Sequence, residues 1–278
     1  MSADSPTTTV RELRATRGGG WRRVLTDTGY FIGLPIIILV IWSVVSAVSP
    51  SFYFPGPIQI GTTFVETWFG ERFFVDFLPS VGRLLLGLVL TIILGVVLGV
   101  IIGSVRWLRA LTEPLFEFFR AVPPPVLVPV LMLLIGINDG MRIVVIISGA
   151  IWPVLLNTVE GVRAVDPVLR ETARTYRITG FARYVHLVLP AASPQIMAGI
   201  RQCLSIALIL MVISEMFGAS SGLGFTIVLF QRSFAIAQMW SGIFLLGFIG
   251  IALSLLFELA ERRVLGWYLG QRKANRAQ

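Results

Sequence analysis

The chain has one cysteine, Cys203, and one histidine, His186. A lone cysteine excludes a disulfide framework within the chain. A lone histidine excludes a two-histidine metal site. Any Ser–His–Asp arrangement would have to use His186, which sits in a basic stretch beside Tyr184 and reads as a surface or interface residue. Lysine is as scarce: Lys273 stands alone, between Arg272 and Ala274. The chain therefore cannot carry the G-x-x-x-x-G-K-[ST] phosphate loop, and any ATP use must come from another polypeptide. Charge is sparse too, at 14% of 278 residues, where ordinary soluble domains carry about a quarter. So few charges cannot solvate a whole surface. A typical soluble enzyme, a disordered regulator and a secreted disulfide scaffold are excluded together.

What the chain has instead is apolar residues, 55% of it, with a mean hydropathy of +0.83. Its formal net charge is +8. That balance does not indicate nucleic acid, because the basic residues form short clusters between long apolar runs, the membrane pattern. About 20 mainly apolar residues cross the hydrocarbon of a bilayer as a helix. Six runs qualify: Tyr30–Val48, Val81–Gly103, Leu115–Ile137, Met141–Val159, Ser193–Phe217 and Met239–Leu259. The first is too long for a signal-peptide core and no small-x-small cleavage site follows it, so it reads as a retained span. The expectation is an all-α, polytopic membrane protein with six transmembrane helices. Residues 1–28 form a basic tail, 29–260 the membrane domain, and 261–278 a second basic tail.

Most arginines lie in the two tails, in Gly103–Pro114 and in Glu160–Pro190; the opposite segments and adjoining span ends hold Arg72, Arg83, Arg142 and Arg232. Positive residues stay inside, so both termini are expected in the cytoplasm. The outer segments are short. Ser49–Ser80 reads as a turn and an interfacial amphipathic helix around Ile58–Trp68, and Ala219–Gln238 as a mixed segment holding Gly222 and Gly224. Trp68, Trp107, Trp152 and Trp240 fall at or near span ends, as an aromatic belt would place them.

Within the spans, Gly95, Gly99 and Gly103 recur on one helix face, which predicts close packing of two backbones. Pro123, Pro124, Pro125 and Pro129 interrupt the third span. Broken backbone at membrane depth survives inside protein or beside a water-filled cavity, so this span is expected at the centre of the bundle, lining a path. Ionisable groups inside spans are functional candidates: Glu117 and Arg120 near the inner end of the third, Arg201 with Gln202 near that of the fifth, and Glu215 near its outer end. An anionic solute would favour Arg120 or Arg201; the alternative is structural pairing, such as Arg120 with Glu117 at i, i+3. Glu215 is expected to hold the Gly222–Gly224 turn and so to fix an outer gate.

The loop after the fourth run is the most distinctive stretch. Asp166 is placed to cap a helix that opens with Pro167, and Leu169, Ala173 and Tyr176 follow at i, i+4, i+7. Thr179 can cap a second helix, Gly180 loosens the turn, Phe181, Tyr184, Val185 and Val188 form an apolar stripe, and Pro190 should stop it. Two amphipathic helices between spans can lie on the membrane or dock a soluble partner.

Here the sequence resembles a known family. Glu171-x-Ala173, a turn and Val188-Leu189-Pro190 resemble the EAA loop of ABC-importer permeases. Arg120-Ala121-Val122-Pro123 through Pro129, then Gly136, is similar to the nitrate, sulfonate, taurine and bicarbonate permeases, as are Glu215, Gly222-Leu223-Gly224 and Glu261-Arg262-Arg263-x3-Trp267. Two departures stand out: Thr172 replaces the usual second alanine, and Arg177 replaces a glycine, so the turn is expected later, at Gly180.

The resemblance implies a type I permease fold and a subunit that is not itself an enzyme. A pair of such subunits, here expected to be identical, would sit on two ATP-binding subunits that hold ATP and magnesium. An extracytoplasmic binding protein would deliver the solute. This chain would bind no cofactor and no metal. The loop 160–190 would be the coupling element, through Asp166, Leu169, Glu171, Ala173, Tyr176, Gly180, Phe181 and Pro190, with Ala173 small enough to let the helix seat. Glu117, Arg120, Pro123, Pro129, Arg201, Gln202 and Glu215 would lie on the solute path or gate. The solute would be a small anion such as a sulfonate, taurine, nitrate or bicarbonate. Aromatic acids and vitamin precursors (thiamine-pyrimidine, riboflavin) are alternatives, and an ion-coupled secondary transporter, a membrane enzyme or a scaffold are others. A secondary transporter would call for an internal repeat and mid-membrane carboxylates, neither of which the sequence displays.

Overall fold

The computed structural model describes residues 20–268 and 270, with side chains from Gly33 onward. The basic residues before Gly20, and Arg272, Lys273 and Arg276, lie outside the described residues. Every regular element among those described is helical. The helices are α1 (Gly20–Val48), α2 (Pro57–Trp68), α3 (Leu78–Ser104), α4 (Arg106–Ala121), α5 (Pro124–Ile135), α6 (Asp139–Arg163), α7 (Pro167–Thr175), α8 (Gly180–Arg183), α9 (Leu189–Met216), α10 (Leu223–Arg232) and α11 (Ile236–Val264). The chain forms two compact units, Met1–Ile58 and Gln59–Gln278. In the first, α1 ends in a tight turn where Trp42 lies against Phe54, ring centres 5.3 Å apart.

Hydropathy and length identify the spans. Four stretches suffice to cross a bilayer: Phe73–Ser104, Asp139–Arg163, Gly180–Met216 and Ile236–Val264. The pair α4 and α5 makes a fifth if counted together, bent by 95° at the break. The apolar part of α1 whose side chains are described, Gly33–Val48, is shorter than these. The first run was expected from Tyr30, yet its helix already begins at Gly20.

The second unit is built on α3, α6 and α9, with α6 in the middle. The glycine stripe of α3 faces α6. A Cβ on Gly95 would lie 2.8 Å from Val154 Cγ1, and one on Gly99 would lie 2.6 Å from Thr158 Cβ. The two backbones approach as close as the missing side chains permit, where dispersion between small residues drives association in lipid. On its other side α6 meets α9: a Cβ on Gly199 would lie 2.6 Å from Pro153 O. Leu84, Met141, Val145, Ile146, Val154, Cys203, Ala207 and Met211 fill the core between them.

Four expectations are corrected. The third span breaks at its prolines as expected, but the segment before it, read as the loop Gly103–Pro114, is already helical from Arg106; the break falls at Val122 and Pro123, both extended. Each of these precedes a proline, whose ring pushes the preceding residue out of the helical region. Pro124 and Pro125 open α5, where no backbone donor is needed. Pro190 does not stop a helix either. The chain runs helically from Gly180 to Met216 through a π turn, Tyr184–Val188, which closes with Leu189 N–H donating to Tyr184 O. The wider turn absorbs the donor that proline lacks. The same device precedes Pro79, where the π turn Phe73–Phe77 closes with Leu78 N–H on Phe73 O. Trp68 is buried rather than interfacial, its Nε1–H donating to Ser241 Oγ at 3.0 Å. Thr179 stands before α8 but its side chain makes no cap bond.

Candidate functional site

At the α4–α5 break lies a cavity of about 540 Å³. Arg120, Val122, Pro124 and Pro125 form one wall; Trp152, Pro153 and Asn157 of α6 and Gln202, Ile206 and Leu210 of α9 form the others. The prolines thus leave the broken backbone beside open space, as the physics of hydrocarbon demands. Phe119 stacks on Trp152, with ring planes 9° apart, and Phe116 meets the same indole edge-on. The wall is mostly apolar, with three polar side chains, Arg120, Asn157 and Gln202. Arg120 Nη2 donates to Glu117 Oε2 at 2.7 Å, and both side chains are more than half exposed. A pair so open to solvent leaves the guanidinium free to exchange partners.

The structure separates the two neighbours Arg201 and Gln202. Gln202 lines the cavity, while Arg201 pairs with Glu261 of α11 and stacks over Phe257. One step along a helix turns the side chain by about 100°, so the two cannot share a site. Arg201 is thereby placed with the structural pair weighed for it, not with the cavity. Glu117 reaches the site only through Arg120, and Pro123 through the break it creates; Pro129 lies inside α5 and is not part of the cavity wall.

At the opposite end of the bundle from α7, a buried ion network surrounds Glu215. Its carboxylate is 0% exposed and is answered on all sides. Ser80 Oγ donates at 2.7 Å, Arg83 Nη1 at 2.8 Å and Gly224 N–H at 3.0 Å. Arg83 Nε donates to Asp139 Oδ1 at 2.8 Å, and Arg142 Nη1 donates to the same oxygen at 2.7 Å. Asp76 joins from the π turn, taking Gly222 N–H at 2.9 Å and Arg72 Nη1 at 3.0 Å. The network ties α3, α6, α9 and the start of α10 at one point. Gly222 is required there: its φ is +116°, and a Cβ would lie 2.6 Å from Glu215 Oε2. Sequence reasoning named Glu215 and the turn but missed its partners Ser80 and Arg83, Asp139 behind Arg83, and Asp76 on the Gly222 N–H. Arg83 lies inside an apolar run and was counted only as an outer positive charge. That position is itself the signal, since a cation in a span demands a partner.

The loop 160–190 holds α7 against the bundle. Asp166 Oδ1 accepts from Val168 N–H at 2.8 Å, a regular N-cap. Arg170 Nη2 donates to Val162 O at 2.7 Å and to Arg163 O at 3.2 Å, closing the last carbonyls of α6. The helix then ends in a Schellman turn: Ile178 N–H bonds to Ala173 O and Arg177 N–H to Arg174 O. The position that needs a left-handed backbone is Arg177, at φ +56°. The turn therefore stays where the family carries glycine and does not move to Gly180, although Gly180 also has positive φ, +58°. Ala173 is 5% exposed, buried within this chain as α7 packs on the π turn. Its small size serves that internal contact. Leu169, Tyr176 and Phe181 are exposed instead, Phe181 at 83%. Glu171 is exposed and forms no ion pair among the described residues.

A helical membrane bundle with a proline-broken span beside a cavity, and a two-helix loop with exposed apolar side chains at one end, is the architecture of a membrane transport subunit. The family of inner membrane components of binding-protein-dependent transport systems matches residues 95–266, and the chain belongs to it. It is thus an ABC-importer permease, a subunit that is not the enzyme of its transporter, and its partners include ATP-binding subunits and a solute-binding protein. It is similar to a putative aliphatic sulfonates transport permease protein of Bacillus subtilis (strain 168), 30% identical over 93% of this chain and 92% of the relative. It is 31% identical to the corresponding Escherichia coli (strain K12) protein, over 84% of this chain and 90% of the relative. It is 26% identical to a nitrate import permease protein of Synechococcus elongatus, over 93% of this chain and 98% of the relative.

Proposed function

We propose that two copies of this chain form the path of an importer for a small oxoanion, an organosulfonate first among them. Both termini face the cytoplasm, and ATP and magnesium are held by the two ATPase subunits. The names of the relatives support the solute class. The observation that carries it is Arg120, the one cationic side chain on the cavity wall. Its planar fork of donors suits a sulfonate or a nitrate. Asn157 and Gln202 add neutral hydrogen-bonding capacity.

Coupling follows from how the loop is attached. Leu169, Tyr176 and Phe181 dock in a groove of the ATPase, with Glu171 beside them for a basic partner. Arg170 binds α7 to the end of α6, and α8 is continuous with α9. Both α6 and α9 line the cavity. A push on the loop as the ATPase pair closes therefore reaches the two walls of the path as rigid-body movement. Glu215 and its partners latch the outer end.

The test is reconstitution. The tagged chain is purified in mild detergent with its co-purifying subunits, weighed by native mass spectrometry and placed in proteoliposomes with its binding protein. Two copies with two ATPase subunits are expected, with ATP-dependent uptake of a labelled sulfonate that falls at least tenfold in Arg120→Gln. Uptake of a neutral solute, or sulfonate uptake unchanged by that substitution, refutes the anion path.

A further inference from the structure

A small cavity of about 80 Å³, apart from the one at the proline break, lies between the loop 160–190 and the ends of α3 and α6. Gly103, Ser104, Val162, Arg170, Arg183 and Tyr184 line it. In contrast to the large cavity its wall is mainly polar. Two of its side chains are guanidinium groups and none is a carboxylate. Arg183 Nε is buried and has no hydrogen-bond partner, and Arg183 forms no ion pair among the described residues. Arg170 uses Nη2 on the α6 carbonyls. Those carbonyls account for Arg170 Nη2 but leave Arg183 Nε without an acceptor. A buried, unanswered donor on a cation is rare in native proteins and marks an unseen partner.

We propose that this cavity binds a phosphate-type anion, the phosphodiester of an anionic lipid headgroup or a soluble phosphate ion. The volume is about that of two or three waters at ~30 Å³ each, which also admits one tetrahedral oxoanion. Guanidinium groups present the paired donors that phosphate oxygens accept. Basic pockets between helices at the cytoplasmic end of a bundle are where lipid headgroups lodge, and Gly103 and Ser104 end the apolar run of α3. An anion held by both arginines bridges α7 to α8 across the turn at Arg177 and stiffens the loop. That mechanical consequence rests on the coupling role proposed above; the site itself does not.

The chain is purified into phosphatidylcholine nanodiscs, given phosphatidylglycerol of matched acyl chains, and read for retained lipid by native mass spectrometry. Wild type is expected to retain phosphatidylglycerol about tenfold over phosphatidylcholine. Arg183→Gln should lose that preference by about fivefold or more. Arg174→Gln removes the same charge from an exposed position outside the cavity and should keep it. If Arg183→Gln does not fold, Arg183→Lys retains the charge without the planar fork and should weaken retention several-fold. A parallel arm titrates millimolar inorganic phosphate in phosphatidylcholine alone and follows the wild-type melting temperature. An Arg183-dependent rise there, without lipid preference, assigns the site to the soluble ion. Equal retention of both lipids with no effect of phosphate overturns the proposal and leaves the cavity to water. Equal losses in Arg183→Gln and Arg174→Gln overturn it in favour of diffuse surface charge. The readout is binding to the permease, so a loop that proved uninvolved in ATPase docking would leave it intact.

Discussion

The network around Glu215 makes the sharpest prediction. Substituting Glu215→Gln keeps the shape and removes the charge. The carboxylate accepts from three donors, Ser80 Oγ, Arg83 Nη1 and Gly224 N–H. A glutamine has one oxygen and one NH2. Ser80 can accommodate either, since its hydroxyl both donates and accepts. Arg83 and Gly224 can only donate, and they approach different oxygens. Whichever way the amide is turned, one of them faces another donor. One hydrogen bond is lost, worth about 1.5–3 kcal/mol if it is the charged one. Arg83, 7% exposed, also loses one of its two carboxylates. Removing one partner of a buried pair costs about 3–5 kcal/mol, and the remaining Asp139, which is 63% exposed, offsets part of that. The expected destabilisation is about 3 kcal/mol, or roughly a hundredfold in the folding equilibrium.

The assay is reversible unfolding in mixed micelles, followed by tryptophan fluorescence, with Glu117→Gln as the control. Glu117 and Arg120 form a solvent-exposed pair, whose loss costs well under ~1 kcal/mol. Glu215→Gln should also lower solute uptake in proteoliposomes, because the network joins α3, α6, α9 and α10 at one place. A Glu215→Gln protein within ~0.5 kcal/mol of wild type, or one that transports normally, would refute the reasoning. A double-mutant cycle with Arg83→Gln should give a coupling energy of ~2 kcal/mol or more, the mark of a direct contact.

Gly222→Ala should destabilise by ~3 kcal/mol in the same unfolding assay, since it combines a positive φ with a Cβ 2.6 Å from Glu215 Oε2; an unaffected variant would mean the turn can move away. Arg177→Gly should stabilise the end of α7 by about 1 kcal/mol, because a left-handed backbone at φ +56° penalises any side chain. Hydrogen exchange at Ile178 N–H should slow, and faster exchange would count against the Schellman assignment. Phe181→Asp changes an 83% exposed side chain, so folding should be unaltered while recovery of the ATPase in a pull-down falls about 30-fold, as for a ~2 kcal/mol anchor. Full recovery would place the docking surface elsewhere.

Much of the fold was legible because it is local. Hydropathy alone marks α3, α6, α9 and α11, since about 20 apolar residues have no other stable place than lipid. The stripe of Gly95, Gly99 and Gly103 announced a close helix contact, and α6 supplies it through Val154 and Thr158. Asp166 and Pro167 foretold the start of α7, because a cap and a first-turn proline need only their immediate neighbours. Local rules failed where the answer depended on a second segment. Pro190 reads as a stop until the π turn before it is seen. Arg177 reads as incompatible with the turn until the carbonyls of Ala173 and Arg174 are in place to hold it. Arg201 and Gln202 are adjacent in sequence, and only α11 decides that the first pairs with Glu261 and the second faces the cavity.

The sequence by itself thus determined that this chain lives in a bilayer, that its one lysine stands outside any phosphate-loop motif, and that it carries a two-helix loop of the permease kind. These follow from composition and from short-range sterics, which need no partner. Tertiary structure alone decided that Arg83 meets Glu215 across 132 residues, that Gly222 closes over that carboxylate, and that the proline break opens a cavity beside Arg120. A buried charge takes its meaning from what answers it, and in a helical bundle the answering group comes from another helix.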